Sequence, residues 1–548
     1  MGRSPLFTRL RRLLRRAHAG SPPAPEGPSR RDIVKLLGGV ALVPALAACG
    51  DDHRKDVDPA IAIVGGGIAG LTAAHFLALA GVRAQIFEAQ MRTGGRMFTQ
   101  QRAYGDQLVE LGGELVDTDH VIIQALAESY GLQLDDLPAL TAGLQQDRFV
   151  IGGIVLTDDQ IVQAFTPVAA KMAEANMMGE ADEAEFARID EMSIPEWLEL
   201  EAGLPANSVL RRLLEVAYLE EFGLEVEEQS AWNLLTLIDF TAPDPFRVFG
   251  DSDERFHIHT GSESVPAAIA AELVDQIHLD HRLAKVTASG GAFELAFTTS
   301  GGEARFTANH VVYALPFTKL REVDLSASAL SAEKTTIIRE LGYGTNAKLM
   351  MLFTTPKWQD APLSSSGGVI TDTGELQSTW ATSRGQAGTT GILTNFVGGD
   401  RGVAIGEGTP ESQAQTALPW IDEVFPGVAA SYVADSAIRQ HWPSFEFTKG
   451  SYASYRKGQW AFFGLEGKRE GNQHFCGEHC SEDFQGYMEG GADTGALVAA
   501  EILDDLGIAH PPALAALLAM TAARPRASYH AGRGARMKLS QIRKRRYR

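Results

Sequence analysis

Gly65, Gly67 and Gly70 stand in G-x-G-x-x-G spacing within the run AIAIVGGGIAGLTAAHFLALAG. The first glycine permits a tight turn, the second lets backbone approach a pyrophosphate, and the third lets a helix pack close to a strand. The helix that starts there offers unbonded N–H groups and the positive end of its dipole to an anion. Glu88 ends a second apolar run, AQIFE, 18 residues beyond Gly70. A carboxylate there accepts hydrogen bonds from ribose hydroxyls and disfavours a 2′-phosphate. These residues predict a dinucleotide ligand on a strand–helix–strand unit.

The chain continues from Glu88 as EAQMRTGGR, ending at Arg96. The pattern E-A-x-x-R-x-G-G-R resembles the extended signature of FAD-binding amine oxidases and their relatives, among them monoamine, polyamine and L-amino acid oxidases, protoporphyrinogen oxidases and carotenoid desaturases. The resemblance implies that Gly94 and Gly95 pass beside FAD and that Arg96 neutralises its diphosphate. ELGG at 110–113 resembles the segment that passes the isoalloxazine, with Gly112 and Gly113 in the close positions. LAKV, ending at Val286, resembles the strand whose backbone meets the adenine, and VVYALP at 311–316 the strand returning to the cofactor domain. FCGE at 475–478 resembles the family's F-A-G-E, with Cys476 in place of alanine and Gly477 and Glu478 retained. GYMEGGADTGALVAAEIL resembles the last flavin-contacting turn and helix, with Met488 and Gly490 as backbone contacts. A helix N-terminus there stabilises the negative charge of a reduced flavin. The resemblance spans about residues 58–508.

Further residues carry the family's chemistry by the same resemblance. Lys348, in GYGTNAKL, is similar to the lysine that many members hold at flavin N5 through a water. Trp442 begins WPSFEFTKGSY, a turn in which monoamine oxidases carry a flavin-bonded cysteine. Ser451 stands at that position, so the FAD is expected to be non-covalent. Tyr452 and Tyr487 match the aromatic pair that orients an amine, a slot suited to an apolar or cationic centre. The implied reaction is hydride transfer from the amine-bearing carbon to flavin N5, hydrolysis of the imine to an aldehyde or keto acid plus ammonia or an amine, and reoxidation by oxygen to give hydrogen peroxide. The snake-venom type of L-amino acid oxidase carries a carboxylate-binding arginine soon after the E-x-G-G/A segment. Here that stretch reads ELVDTDH, where Glu114 and Asp117 favour an ammonium group. Amines are therefore the expected substrates. Amino acids are the alternative, with Arg211, Arg247 or another arginine as the carboxylate contact. A flavin dehydrogenase passing electrons to a membrane acceptor is a third reading.

Several elements must position these residues. The expected architecture is α/β: a Rossmann-type FAD domain assembled from 58–118, 256–320 and 440–508, interleaved with an α+β substrate domain from 119–255 and 321–439. Residues 157–240, including SVLRRLLEVAYLEEFG, have helical apolar spacing and read as a helical cap over the site.

Composition bounds the rest. The chain has 548 residues, an apolar fraction of 45% and a formal net charge of -20. Residues 1–48 hold nine basic side chains and residues 524–548 hold ten, so the body between is strongly acidic. Such a body repels nucleic acid and attracts cations. Three cysteines are too few for a disulfide framework. Cys476 and Cys480 read as small buried residues, with pairing open if the chain is exported. His474 and His479 beside them have no metal-ligand spacing, and no metal is expected.

The N-terminus reads as an address. SRRDIVK at 29–35 resembles a twin-arginine export signal, and LLGGVALVPALAA after it is short for a membrane span. LAAC, ending at Cys49, resembles a bacterial lipobox. Residues 1–48 are expected to be the export signal, 49–57 a linker and 509–548 a basic tail. The chain is thus expected in the cell envelope, held by a lipid on Cys49; the basic tail reads as an end with no role, with a second contact with anionic lipid as the alternative.

Overall fold

The computed structural model of the chain describes residues 34–36 and 60–523, with side chains to 520. Behind the glycine motif stands a five-stranded parallel sheet, ordered Ile277–His278, Gln85–Phe87, Ile61–Val64, His310–Tyr313, Gln473–Phe475. Every residue of its central strand, IAIV, is buried, as a parallel strand covered on both faces requires. The helix Ile68–Leu79 leaves that strand at the glycine turn and packs on Met488–Leu506, a helix more than 400 residues later. Glycines allow the close crossing: a Cβ on Gly495 would stand 2.3 Å from the Ala69 carbonyl oxygen. Arg282–Ser289, Ala292–Thr299 and Gly302–Ala308 form an antiparallel meander beside the parallel sheet, with Asp324–Ala327 at its edge.

A mixed seven-stranded sheet runs in the order Ile438–His441, Ala347–Phe353, Gly391–Val397, Ser378–Ala381, Val369–Thr371, Phe149–Ile151, Ile154–Leu156. Five helices, Asp158–Ala181, Glu183–Asp190, Ile194–Leu200, Val209–Phe222 and Ala231–Leu237, follow its last hairpin. They gather round the buried Trp197, Tyr218 and Trp232. Thr157 and Ser193 start two of them with capping boxes. Among the described residues no helix is long and apolar enough to cross a membrane.

The expected basic tail needs correcting in part. Residues 512–523, PALAALLAMTAA, form a helix, and Ala513, Leu514 and Leu517 are buried in the core that includes the Met488–Leu506 helix. Alanine and leucine favour that state, and the basic residues begin only afterwards. The arginine pair, the lipobox with Cys49, the linker at 49–57 and residues 524–548 lie outside the described residues.

Candidate active site

A cavity of about 780 Å³ is lined by the parallel sheet, the seven-stranded sheet and the helical segment. Its nucleotide end is built from the two glycine motifs, which meet. Gly94 N donates to Gly66 O at 2.8 Å, and a Cβ on Gly95 would lie 3.2 Å from Gly67 Cα. Gly65 has φ +114°, and a Cβ there would stand 2.4 Å from Ala314 O, so only glycine makes this turn. The Glu88 carboxylate accepts from Gly66 N and Gln90 N, each at 2.8 Å. Burial raises its pKa, and those two N–H groups partly offset the rise. Two helices open their N-termini on the cavity without a side-chain cap: Ile68–Leu79 behind Gly67, and Met488–Leu506 behind Tyr487. Their unbonded N–H groups suit an anion.

Arg96 lines the cavity but is not free in it. Its Nη1 donates to Ser451 O at 2.7 Å and to Glu478 Oε1 at 2.8 Å. Glu478 also accepts from Gly486 N and Ala453 N. Burial would raise Glu478, but Arg96, His479 and the Ala453 N–H together hold the carboxyl below the usual range. Gly477, Glu478, Gly112, Gly113, Trp442 and Met488 all line the cavity. Met488 packs where a Gly113 side chain would be, and Trp442 Nε1 donates to Leu111 O at 3.2 Å. Ser451 lines it too and donates to Asn346 Oδ1 at 2.6 Å. This set of glycine cradle, ribose carboxylate and two open helix ends fits FAD.

Three of the expected cofactor contacts fall elsewhere. Val286 is fully buried and off the cavity; Arg282, Leu283 and Ala284 line it instead. The pairing register shifts between Leu283 and Lys285, and only the start of that strand reaches the site. Gly70 does not face the cavity: its Cβ would strike Gly65 O at 2.1 Å, so it serves helix–strand packing. Gly490 faces Phe484 O, 2.0 Å from a Cβ placed there, and Gly491 lines the cavity in its stead.

Lys348, Tyr452 and Tyr487 line the same cavity, as does Glu114. Lys348 Nζ donates to Gly112 O at 2.8 Å, Glu110 O at 3.1 Å and Glu114 Oε2 at 2.9 Å. Glu114 is therefore not the open ammonium contact expected; the lysine takes one of its oxygens and Thr382 Oγ1 donates to the other at 3.1 Å. Burial would raise Glu114, but Lys348 and then His257 bring it below its usual value. Asp117 is buried off the cavity, where it accepts from Glu254 N at 2.8 Å and lies against His120. Tyr452 donates to Glu221 O at 2.7 Å. The Tyr487 ring meets His120 edge-on at 4.9 Å, and its hydroxyl has no partner among the described residues. The two tyrosines line the same cavity.

Arg211 is spent on Glu199 and Glu215, away from the cavity. Arg247 lines it but pairs with Asp239 and Asp251. Cys476 and Cys480 are buried and unpaired. His474 bonds Glu501 and His310.

Sequence reasoning missed an acidic stretch of lining: Asp147, Glu220, Glu221 and Glu254, with Arg384, Trp380 and Phe396. Burial, then the neighbouring Glu221, pushes Glu220 well above the usual carboxylate range. Burial, with Asp117 and Asp147 close by, pushes Glu254 up to about 7. Arg384 faces Glu114, Glu254 and Asp147, and among the described residues its side chain donates from Nε to Ala381 O at 3.0 Å. Glu221 carried a signal: it continues the buried stripe Leu210, Leu214, Ala217 of its helix. Arg384 and Glu254, in loops between elements, carried none.

Comparison with known proteins agrees with this geometry. The model of the flavin containing amine oxidoreductase family matches residues 68–503. Pseudooxynicotine dehydrogenase of a Pseudomonas species is 26% identical over 513 residues, covering 87% of this chain and 96% of that protein. L-amino acid dehydrogenase of a Synechocystis species is 24% identical over 485 residues, covering 80% and 94%. Among solved structures, putrescine oxidase bound to putrescine superposes with a TM-score of 0.70 at 20% identity, covering 81% of this chain and 99% of that one. Cyclohexylamine oxidase from Brevibacterium oxydans gives 0.70 at 22% identity, covering 82% and 100%. A match this long, over a cavity with this donor set, places the chain in the flavin-containing amine oxidoreductase family, as an enzyme with FAD as its cofactor.

Proposed function

We propose that the chain oxidises a primary or secondary amine whose cationic form is drawn into the cavity, and that its FAD is held without a covalent bond. The observation that carries the first part is the acidic lining by Asp147, Glu220, Glu221 and Glu254. Of the four arginines on the lining, Arg96 pairs with Glu478, Arg247 with Asp239 and Asp251, and Arg282 with Glu446, while Arg384 faces carboxylates, so a positive ligand is the better match. FAD, when bound, accepts the hydride equivalent of the amine's C–H bond. The chain's own part is to orient the amine against Tyr452 and Tyr487 and to exclude water from it. For the second part, Ser451 offers a hydroxyl already bonded to Asn346 where a flavin-bonded cysteine would be needed.

A second reading, oxidation of an L-amino acid, is favoured by one feature. The terminal nitrogens of Arg384 have no hydrogen-bond partner among the described residues, and such a fork suits a carboxylate. The test is anaerobic reduction by a cationic amine in Glu220→Gln and Arg384→Met holoenzymes. The amine reading predicts that Glu220→Gln raises the amine's apparent Kd about ten-fold while Arg384→Met does not weaken it. The reverse pattern, with L-amino acids bleaching the flavin instead, overturns it.

Export by the twin-arginine route and lipidation of Cys49 are part of the same proposal, supported by SRRDIVK and LAAC. Mass spectrometry of the mature N-terminus checks this. A diacylated Cys49 is expected, and a chain that keeps Met1 contradicts it.

A further inference from the structure

The Lys348 ammonium has three protons to donate, and all three are used inside the protein. Two go to the carbonyls of Glu110 and Gly112 and the third to the Glu114 carboxylate, at 2.8 to 3.1 Å. Lys348 is 5% exposed and Glu114 6%, so the pair is little screened by water. Neighbouring groups do not undo the pairing. Thr382 fills the other Glu114 oxygen and itself meets Thr394 at 2.6 Å. Arg384 and His257 also act on Glu114, but Arg384 is opposed by Glu254 and Asp147 and His257 is bonded to Glu110 at 3.1 Å. Each cation near this wall therefore has a carboxylate opposite it. The pair lines the same cavity as Gly112, Gly113, Trp442, Tyr452 and Met488. Glu88 and the glycine turn would hold the nucleotide end of FAD, which leaves the wall with Lys348 and Glu114 among the residues that would meet its redox ring.

From this we infer that Glu114 is a positioning residue that neutralises Lys348, and that the neutral pair slows the reaction of the reduced cofactor with oxygen. The inference rests on the amine oxidoreductase reading but not on the identity of the amine. Oxygen takes two electrons and two protons from the reduced cofactor to give hydrogen peroxide, so the step balances without a further reactant. The first electron taken by oxygen creates an anion, which an uncompensated cation stabilises and a neutral pair does not. The lysine expected near flavin N5 is thus present, with its charge cancelled.

The test uses the FAD-loaded wild type and Glu114→Gln, whose amide keeps an oxygen for Lys348 without the charge. Two readouts are taken. The first is the equilibrium affinity of the oxidised holoenzyme for sulfite, an anion that adds to the flavin. The second is reoxidation by oxygen after chemical reduction with dithionite, which needs no substrate and so fails or succeeds independently of the amine reading. Glu114→Gln is expected to tighten sulfite binding and speed reoxidation, each about ten-fold or more, the scale of one charge removed from a buried pair. Adding Lys348→Met to Glu114→Gln should reverse both gains, closing the cycle. Unchanged or opposite effects overturn the inference. If Glu114→Gln does not hold FAD, Lys348→Met alone decides. It leaves Glu114 unpaired, so sulfite binding should weaken about ten-fold; unchanged affinity overturns the inference.

Discussion

Glu220 and Glu221 sit side by side at the end of the helix Val209–Phe222, on the lining of the cavity. Burial and mutual repulsion favour a protonated state for Glu220 in the empty site, and Glu254 titrates at about 7. A carboxyl raised in this way is neutral below its folded pKa and gains its charge as pH rises through it. A cation arriving beside it lowers the pKa and expels the proton. Binding of a non-reactive cationic amine at pH 7 should therefore release on the order of one proton, with affinity rising as pH passes through 7. Calorimetry in buffers of different ionisation enthalpy measures this; zero exchange or net uptake would contradict it. The same logic separates Arg96 and Glu478. The Glu478 carboxylate is already taken by Arg96 Nη1 and the N–H groups of Ala453 and Gly486, so it shapes the cofactor turn rather than forming a cation site.

At the scale of elements, the helix pair Ile68–Leu79 and Met488–Leu506 ties the start of the chain to its end. Gly495→Ala would place a methyl 2.3 Å from Ala69 O. Overpacking of this kind costs about 1–3 kcal/mol, and the apoprotein's melting temperature should fall by roughly 2 °C or more. An unchanged melting temperature would show that the helices part without cost. The glycine signatures made this half of the molecule legible, because a turn that only glycine can form, and a helix that only glycine lets approach, leave marks at fixed spacing. Glu88, Arg96, Gly113, Glu478 and Met488 were found through those marks. Val286 was misplaced because a bulge changes which residue of a strand reaches the site, and spacing does not show a bulge. Glu254 and Arg384 were invisible because they come from loops, one before the strand Phe256–Ile258 and one after the strand Ser378–Ala381, whose positions are set by tertiary packing and not by local sequence. The partner of Lys348 was misread because Glu114 is two residues from Gly112 in sequence, yet its lysine comes from a strand 234 residues later.

At the scale of the whole molecule, two sheets and a helical segment close round one cavity, and an acidic body carries basic residues at both ends. An acidic surface raises the local concentration of a cationic substrate, while basic ends suit an anionic lipid surface. The claim that joins these features is that the cavity oxidises amines. Anaerobic mixing of the FAD-loaded protein with matched panels of amines and L-amino acids tests that claim most directly. The account predicts that at least one amine bleaches the flavin band and that the amino acid with the same side chain does so far more slowly. Bleaching by amino acids alone, or by neither panel, would contradict it.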